Sequence, residues 1–259
     1  MQLKPLVIKI GGALLDSQES LEAFFKELSI LKQRRSRAIV LVHGAGPLID
    51  DWLKQFGLNT EKKSGLRITP KEHLPVVIGA LAGVANKSLM AQAIRQQLPT
   101  VGLTLSDAGL CNITPLAKEL GQVGQACGAD PSLLHYLLNR QILPIISSIG
   151  INAQGEPMNI NADDAAVAIA RMINAELWFL SEPSGVLGPG GNTIAHLSKE
   201  HSLELIESGA IHDGMAIKVK AALRAARDLR QPVRIGSWRH PFSNHPINPG
   251  SFGTLVSTT

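Results

Sequence analysis

Lys9 lies near the end of an apolar run and is followed by Gly11-Gly12. A lysine inside a strand covered on both faces needs an anionic partner or a water-filled cleft. A second apolar run ends His43-Gly44-Ala45-Gly46. Ligands of open α/β sheets sit at the carboxyl ends of strands. Two strands that both end in glycine loops can turn backbone N–H groups toward one anionic group. Met158-Asn159-Ile160-Asn161-Ala162-Asp163 then opens a helical pattern. Asn161 reads as its N-cap, with Asp163 and Asp164 answering the helix dipole. Capping accounts for Asn161 and Asp164 but leaves Asn159 unexplained. Another helix opens at His212-Asp213-Gly214-Met215, with Lys218 in its second turn. Gly65-Leu66-Arg67-Ile68-Thr69 reads as part of a hairpin.

These pieces supply two lysines, one aspartate and two glycine loops. Phosphoryl transfer needs positive charge and N–H donors around the migrating group, and little covalent chemistry. Two lysines can neutralise charge on a nucleotide and on the migrating phosphoryl, and an aspartate can hold both ammonium groups. Other chemistries fit less well. The GxxxxGK[ST] phosphate loop is absent. Gly44-Ala45-Gly46 does not complete GxGxxG, because Ile49 stands at the third glycine position. No terminal acid follows strand two to hold a ribose hydroxyl, which argues against a dinucleotide-dependent dehydrogenase. No Ser-His-Asp arrangement competes. The eight histidines are scattered without ligand-like spacing, so no metal site is expected.

The elements that must position these residues alternate between extended and helical patterns. Residues 5–10, 38–43, 101–105, 111–114, 143–147, 177–180, 232–235 and 252–257 read as strands. Leu21, Phe24, Phe25, Leu28 and Leu31 recur at helix spacing, as do Leu48, Ile49, Trp52, Leu53 and Phe56. Residues 59–69 form a turn-rich hairpin. Residues 70–97 read as helix, bent near Gly79 and Gly83, and further helices cover 131–139, 161–173, 198–208 and 214–229. This order predicts an α/β fold: an open αβα sandwich with a mainly parallel central sheet and two lobes. The lobes are expected at residues 1–178 and 179–259.

A chain of 259 residues can bury a large core without a staple. Hydrophobic residues make up 44% and charged residues 18%, which excludes a disordered or fibrous chain. Aromatics are only 4%, so aliphatic residues and Ala must fill the interior. The net charge of +4 permits an anionic ligand, but no dense basic stripe with interleaved aromatics points to nucleic acid. Cys111 and Cys127 are far apart and read as free thiols of a reducing cytoplasm. No run is expected to reach the roughly 18 apolar residues of a membrane span.

Taken in order, Lys9-Ile10-Gly11-Gly12, Val42-His43-Gly44-Ala45-Gly46, Gly65-Leu66-Arg67-Ile68-Thr69, Gly79-Ala80-Leu81-Ala82-Gly83 with Asn86-Lys87, Asn159-Ile160-Asn161-Ala162-Asp163, and Asp213-Gly214-Met215 with Lys218 resemble the acetylglutamate kinases of the amino-acid kinase superfamily. The resemblance runs from residue 5 to about residue 257. It implies ATP-dependent phosphorylation of the γ-carboxylate of N-acetyl-L-glutamate in arginine biosynthesis, with Mg²⁺ accompanying ATP. Lys9 and Lys218 would stabilise the migrating phosphoryl, with Asp163 orienting them. Gly44, Ala45, Gly46, Arg67 and Asn159 would bind the acyl amino acid. Gly11, Gly12, Ser181, Glu182, Ser184, Gly185, Val186, Leu187, Ala210, Ile211 and His212 would line the nucleotide site. The rival readings are a sister kinase acting on an aminoadipate derivative and a non-catalytic sensor of an amino acid or nucleotide.

Three departures from the family pattern stand out. Ala45 replaces the middle glycine of a usual Gly-Gly-Gly, and a positive φ there would strain it. Glu182-Pro183 stands where Asp-Val is common. Residues 106–112 lack a Gly-Asp-rich pattern. Some relatives are arginine-inhibited hexamers linked by an extra helix ahead of the first strand. Here only Met1–Lys4 precede Pro5, so a homodimer insensitive to arginine is expected.

Overall fold

Strand β1 (Leu6–Ile10) is apolar on both faces except at Lys9, and the computed structural model places it near the middle of an eight-stranded sheet. The structure describes residues 3–35, 37–63, 65–242 and 252–258. The sheet runs β12 (His196–Leu197), β14 (Thr254–Val256), β13 (Val233–Ser237), β11 (Glu176–Ser181), β1, β2 (Ile39–His43), β8 (Leu143–Ser147), β5 (Thr100–Leu103). The six strands from β13 to β5 are mutually parallel, and β14 is antiparallel to β13. The boundary expected at residue 178 falls inside β11, which pairs with β1 on one side and β13 on the other.

Alternation along β1 sorts its side chains between two helical layers. Leu6, Ile8 and Ile10 pack with Phe24, Phe25 and Leu28 of α1 (Gln18–Arg35) and with Leu89 and Ala93 of α4 (Asn86–Arg95). Val7 faces the other layer, with Val40 and Val42 of β2. There it meets Ala165, Ala166 and Ile169 of α6 (Ala162–Met172) and Val219 and Ala222 of α8 (Asp213–Leu229). Leu134 and Leu138 of α5 (Ser132–Asn139) extend that layer, and α7 (Lys199–Glu207) packs beside α8. The scarce aromatics gather on the α1 side, where Phe24, Phe25, Trp178, Phe242 and Phe252 make edge or tilted ring contacts.

A second sheet lay largely outside the sequence reading. Its order is β6 (Cys111–Pro115), β7 (Val123–Gly128), β10 (Pro157–Ile160), β9 (Ile149–Ile151). Only β6 was legible, because the others are short and broken by Gly, Pro and polar residues. The hairpin was legible: β3 (Lys62–Lys63) pairs with β4 (Leu66–Arg67), and Gly65 takes the φ of +82° its turn requires.

The helical stretch that follows is α3 (Leu74–Ile78), a π-helical segment over Gly79–Ala85, and α4. The bend expected near Gly79 and Gly83 is this widened turn. One expectation needs correction. Lys71–Arg95 is long and apolar enough, by length and composition, to cross a membrane. In this structure it serves as a core helix: Val77, Ala80, Leu81 and Ala85 are buried against Ile49 and Leu53 of α2 (Gly46–Gln55). Its unbroken apolar run ends at Ala85, before Asn86-Lys87-Ser88, and further apolar residues beyond these keep the average hydropathy high.

Asn86 ties this helix to the sheet. Its Nδ2 donates to Ile145 O at 2.9 Å and lies 3.1 Å from His43 Nε2. His43 is wholly buried, and its Nδ1 lies 3.3 Å from Gly44 O. Burial lowers its pKa from 6.5 to about 4, against a smaller opposing pull from the Gly44 carbonyl. The ring is therefore neutral, with Nδ1–H donating to Gly44 O and Nε2 accepting from Asn86. The unfolded chain takes up this proton first as pH falls. Stability contributed by the neutral ring is complete above pH 6.5 and is lost progressively down to about pH 4. The loss should approach about 3 kcal/mol. Urea unfolding across that range should show the slope in the parent protein and not in His43→Gln.

Candidate active site

Parallel strands β1 and β2 end side by side, and Gly44 N donates to Ile10 O at 3.3 Å. This brings the two glycine loops together. A Cβ on Gly12 would lie 2.6 Å from Pro47 Cδ and 2.9 Å from Gly46 N. Glycine is required there for close approach and not for a left-handed backbone, since φ at Gly12 is not positive. Ala45 has φ −150°, so the strain feared for it is absent. Its methyl group is buried against Ile49 and Leu81, which a third glycine could not supply.

Lys9 lies two residues beyond Val7 and so faces α6. Its Nζ sits 2.8 Å from Asp163 Oδ1. Asp163 is held there by the helix start: Asn161 Oδ1 accepts from the backbone N–H groups of Asp163 and Asp164, at 2.8 and 3.2 Å. Lys218, half-buried in α8, enters the same field. Burial and the charge of Lys9 lower its pKa, while Asp163 and Glu182 oppose them. Among the described residues Lys9 alone of the two lysines is ion-paired with Asp163; Lys218 feels the charges of Lys9, Asp163 and Glu182 without pairing to any of them. Asp164 turns away to Arg224, 3.3 Å distant, and burial raises its pKa.

Gly44, Ala45, Gly46, Arg67 and Asn159 all line one cavity of about 220 Å³ beside the start of α6. Arg67 is nearly buried and donates from Nη2 to Gly46 O at 3.3 Å. Asn159 Nδ2 donates to Thr69 Oγ1 at 3.0 Å, and Thr69 Oγ1 donates to Arg67 O. Asn159, which capping could not explain, is therefore part of the cavity wall. Lys62, Ser148 and Asn161 line it too. Asp50, 2.5 Å from Arg67 Nη1, was also missed. A nearly buried arginine implies an acid nearby, but only the folded chain says which one.

The residues expected at the nucleotide end are more dispersed, and none lines this cavity. Ser181 ends β11, and its buried Oγ has no hydrogen-bond partner among the described residues. Glu182 pairs with Arg239, and its backbone carbonyl accepts from Ser237 Oγ. Ser184 Oγ lies 3.0 Å from Thr193 Oγ1. The side chains of Val186 and Ile211 belong to the core, so only their backbones could serve a ligand. Gly185 is also buried, whereas Leu187 is exposed and Ala210 partly so. His212 is exposed at the start of α8, with Nδ1 2.9 Å from Asp213 Oδ2. A larger groove of about 740 Å³ opens on the far side of α6, lined by Cys127, Asp163, Arg171 and Arg224 among others. Among the described residues, no group of three or more His, Cys, Asp or Glu could hold a metal ion.

Residues 4–237 match the model of the amino acid kinase family. The acetylglutamate kinase of Aeromonas hydrophila subsp. hydrophila is 50% identical over 241 residues, 93% of each chain. That of Serratia proteamaculans is 49% identical over 238 residues, 92% of this chain and 93% of its own. The crystal structure of smu.665 from Streptococcus mutans superposes with a TM-score of 0.80 at 25% identity, covering 98% of each chain. The chain belongs to the amino acid kinase family and, within it, to the acetylglutamate kinases. It is a kinase.

The glycine geometry gives a direct contrast. Gly12→Ala should lower unfolding free energy by about 1–3 kcal/mol, because the added methyl meets backbone and a proline ring. Gly46→Ala meets no atom within 4 Å and should change it by less than about 0.5 kcal/mol. Urea midpoints of the two variants check this.

Proposed function

We propose that this chain transfers the γ-phosphoryl of ATP to the γ-carboxylate of N-acetyl-L-glutamate, a step of arginine biosynthesis. One observation carries the reading. The five residues expected to bind the acyl amino acid line a single cavity at the start of α6, the helix turn that also holds the Lys9–Asp163 pair. The substrate α-carboxylate pairs with Arg67, and its amide end lies at Asn159. Its γ-carboxylate faces the glycine loops. An oxygen of that carboxylate attacks the γ-phosphorus of ATP. The new O–P bond makes an acyl phosphate, and the β–γ bridging P–O bond breaks to leave ADP. A carboxylate needs no general base. Lys9 and Lys218 neutralise charge on the transferring phosphoryl, and N–H groups of Gly12, Ala45 and Gly46 donate to its oxygens.

Residues beyond 178 serve mainly ATP and those before it the acyl amino acid, the two parts sharing one sheet through β11. The unpartnered Ser181 Oγ suits a phosphate oxygen at the ATP end. Mg²⁺ would be held mainly by the phosphates of ATP and would add positive charge there. The free Cys111 and Cys127 suit a cytoplasmic enzyme. Val84 and Ile94 are exposed on the helical stretch Lys71–Arg95, which suits a two-fold interface between copies. Light scattering should give about 55 kDa, twice the 27.7 kDa chain.

Lys9→Ala and Lys218→Ala should each lower kcat by about 10²–10³, as for loss of a preorganised oxyanion donor. An assay of ADP release reads this directly, and near-normal turnover in both would refute the mechanism. Arg67→Ala should raise KM for N-acetyl-L-glutamate by about 10- to 100-fold with KM for ATP little changed. The same assay over N-acylated and free acidic amino acids, an aminoadipate derivative included, tests the acceptor.

A further inference from the structure

Lys62 and Arg67 are cross-strand partners in the β3–β4 hairpin. Both reach one carboxylate on another element. Asp50, in α2, has Oδ1 2.5 Å from Arg67 Nη1 and Oδ2 3.5 Å from Lys62 Nζ. Burial alone would raise the Asp50 pKa. Arg67, with help from Lys62, outweighs that and holds it below the usual carboxylate value. Helix α2 begins at Gly46, whose carbonyl accepts from Arg67 Nη2. The arginine is therefore gripped at two points on the same helix, and Nη1 and Nη2 are both engaged. Lys62 and Arg67 line the 220 Å³ cavity.

We infer that Asp50 is a positioning residue: its carboxylate fastens both strands of the hairpin to α2 and presents Arg67 to the substrate's carboxylate. The inference rests on the assignment of Arg67 to that carboxylate. Without Asp50 the guanidinium would lose its orienting acid and keep the Gly46 carbonyl as its hydrogen bond to α2. A substrate would then have to order both on binding, which raises KM and leaves the chemical step alone.

The test is a double-mutant cycle of Asp50→Asn and Arg67→Ala, with KM measured for both substrates. Asp50→Asn should raise KM for N-acetyl-L-glutamate by about 10-fold, with kcat and KM for ATP within about 2-fold. In the Arg67→Ala background the same change should add less than about 2-fold, because the group it orients is gone. An undiminished effect in that background, or no effect in the parent, overturns the inference while the Arg67 assignment stands. If Arg67→Ala alone leaves KM for N-acetyl-L-glutamate unchanged, the assignment fails and this inference falls with it. Hydrogen exchange guards against a folding artefact. Asp50→Asn should speed exchange at the hairpin amides and leave β1 and β2 protected, whereas uniform loss of protection would mean a structural role only. Lys62→Met, which removes only the exposed arm, should raise KM by about 2- to 3-fold and loosen the same amides.

Discussion

A lysine on the most central strand of the sheet needs a partner, and the site is arranged around that need. Lys9 is about one-fifth exposed, too little for water alone to solvate its charge. Asp163 answers it from the first turn of α6, where the positive end of the helix dipole also favours an acid. Asn161 fixes that turn by accepting two of its N–H groups. The ion pair therefore sets where α6 begins relative to the end of β1. Because α6 packs on both β1 and α8, it also sets how closely Lys218 can approach. Two like charges close together repel, and Asp163 and Glu182 only partly offset that at Lys218. An anion bound between them would relieve it.

The cavity at the start of α6 depends on close approach of backbone. Two loops touch only because Gly12 carries no side chain. Ala45 shows that the neighbouring loop needs backbone N–H groups more than a third glycine. Its φ is ordinary, and its methyl helps bury α2 against the π-helical segment. Leu81 of that segment reaches both this core and the cavity wall. His43 adds a fixed hydrogen bond beneath the loop, and its neutrality follows from complete burial beside Asn86. Packing under the loop and the shape of the cavity above it thus share very few residues.

What the sequence determined by itself was local or periodic. Strand ends with glycines, an Asn cap followed by acids, helical spacing in α1 and α2, and the hairpin turn at Gly65 could all be read, because each rests on neighbours within one or two turns of chain. The isolated lysine in an apolar strand called for an anionic partner or a water-filled cleft, and the fold answers with Asp163 of the Asn159–Asp163 segment. Tertiary structure decided the rest. Asp50 is seventeen residues from Arg67 in the numbering and carries no motif; only the folding of the hairpin onto α2 makes them partners. The four-stranded second sheet joins β6, which could be read, to β7, β10 and β9, which are individually too short and too polar to declare themselves. Val186 and Ile211 sit in stretches suited to a ligand, yet their side chains complete the core, because apolar residues near a site go to whichever apolar surface the fold puts beside them. Local stereochemistry can be read along the chain, whereas burial and charge pairing depend on distances that exist only once the chain has closed on itself.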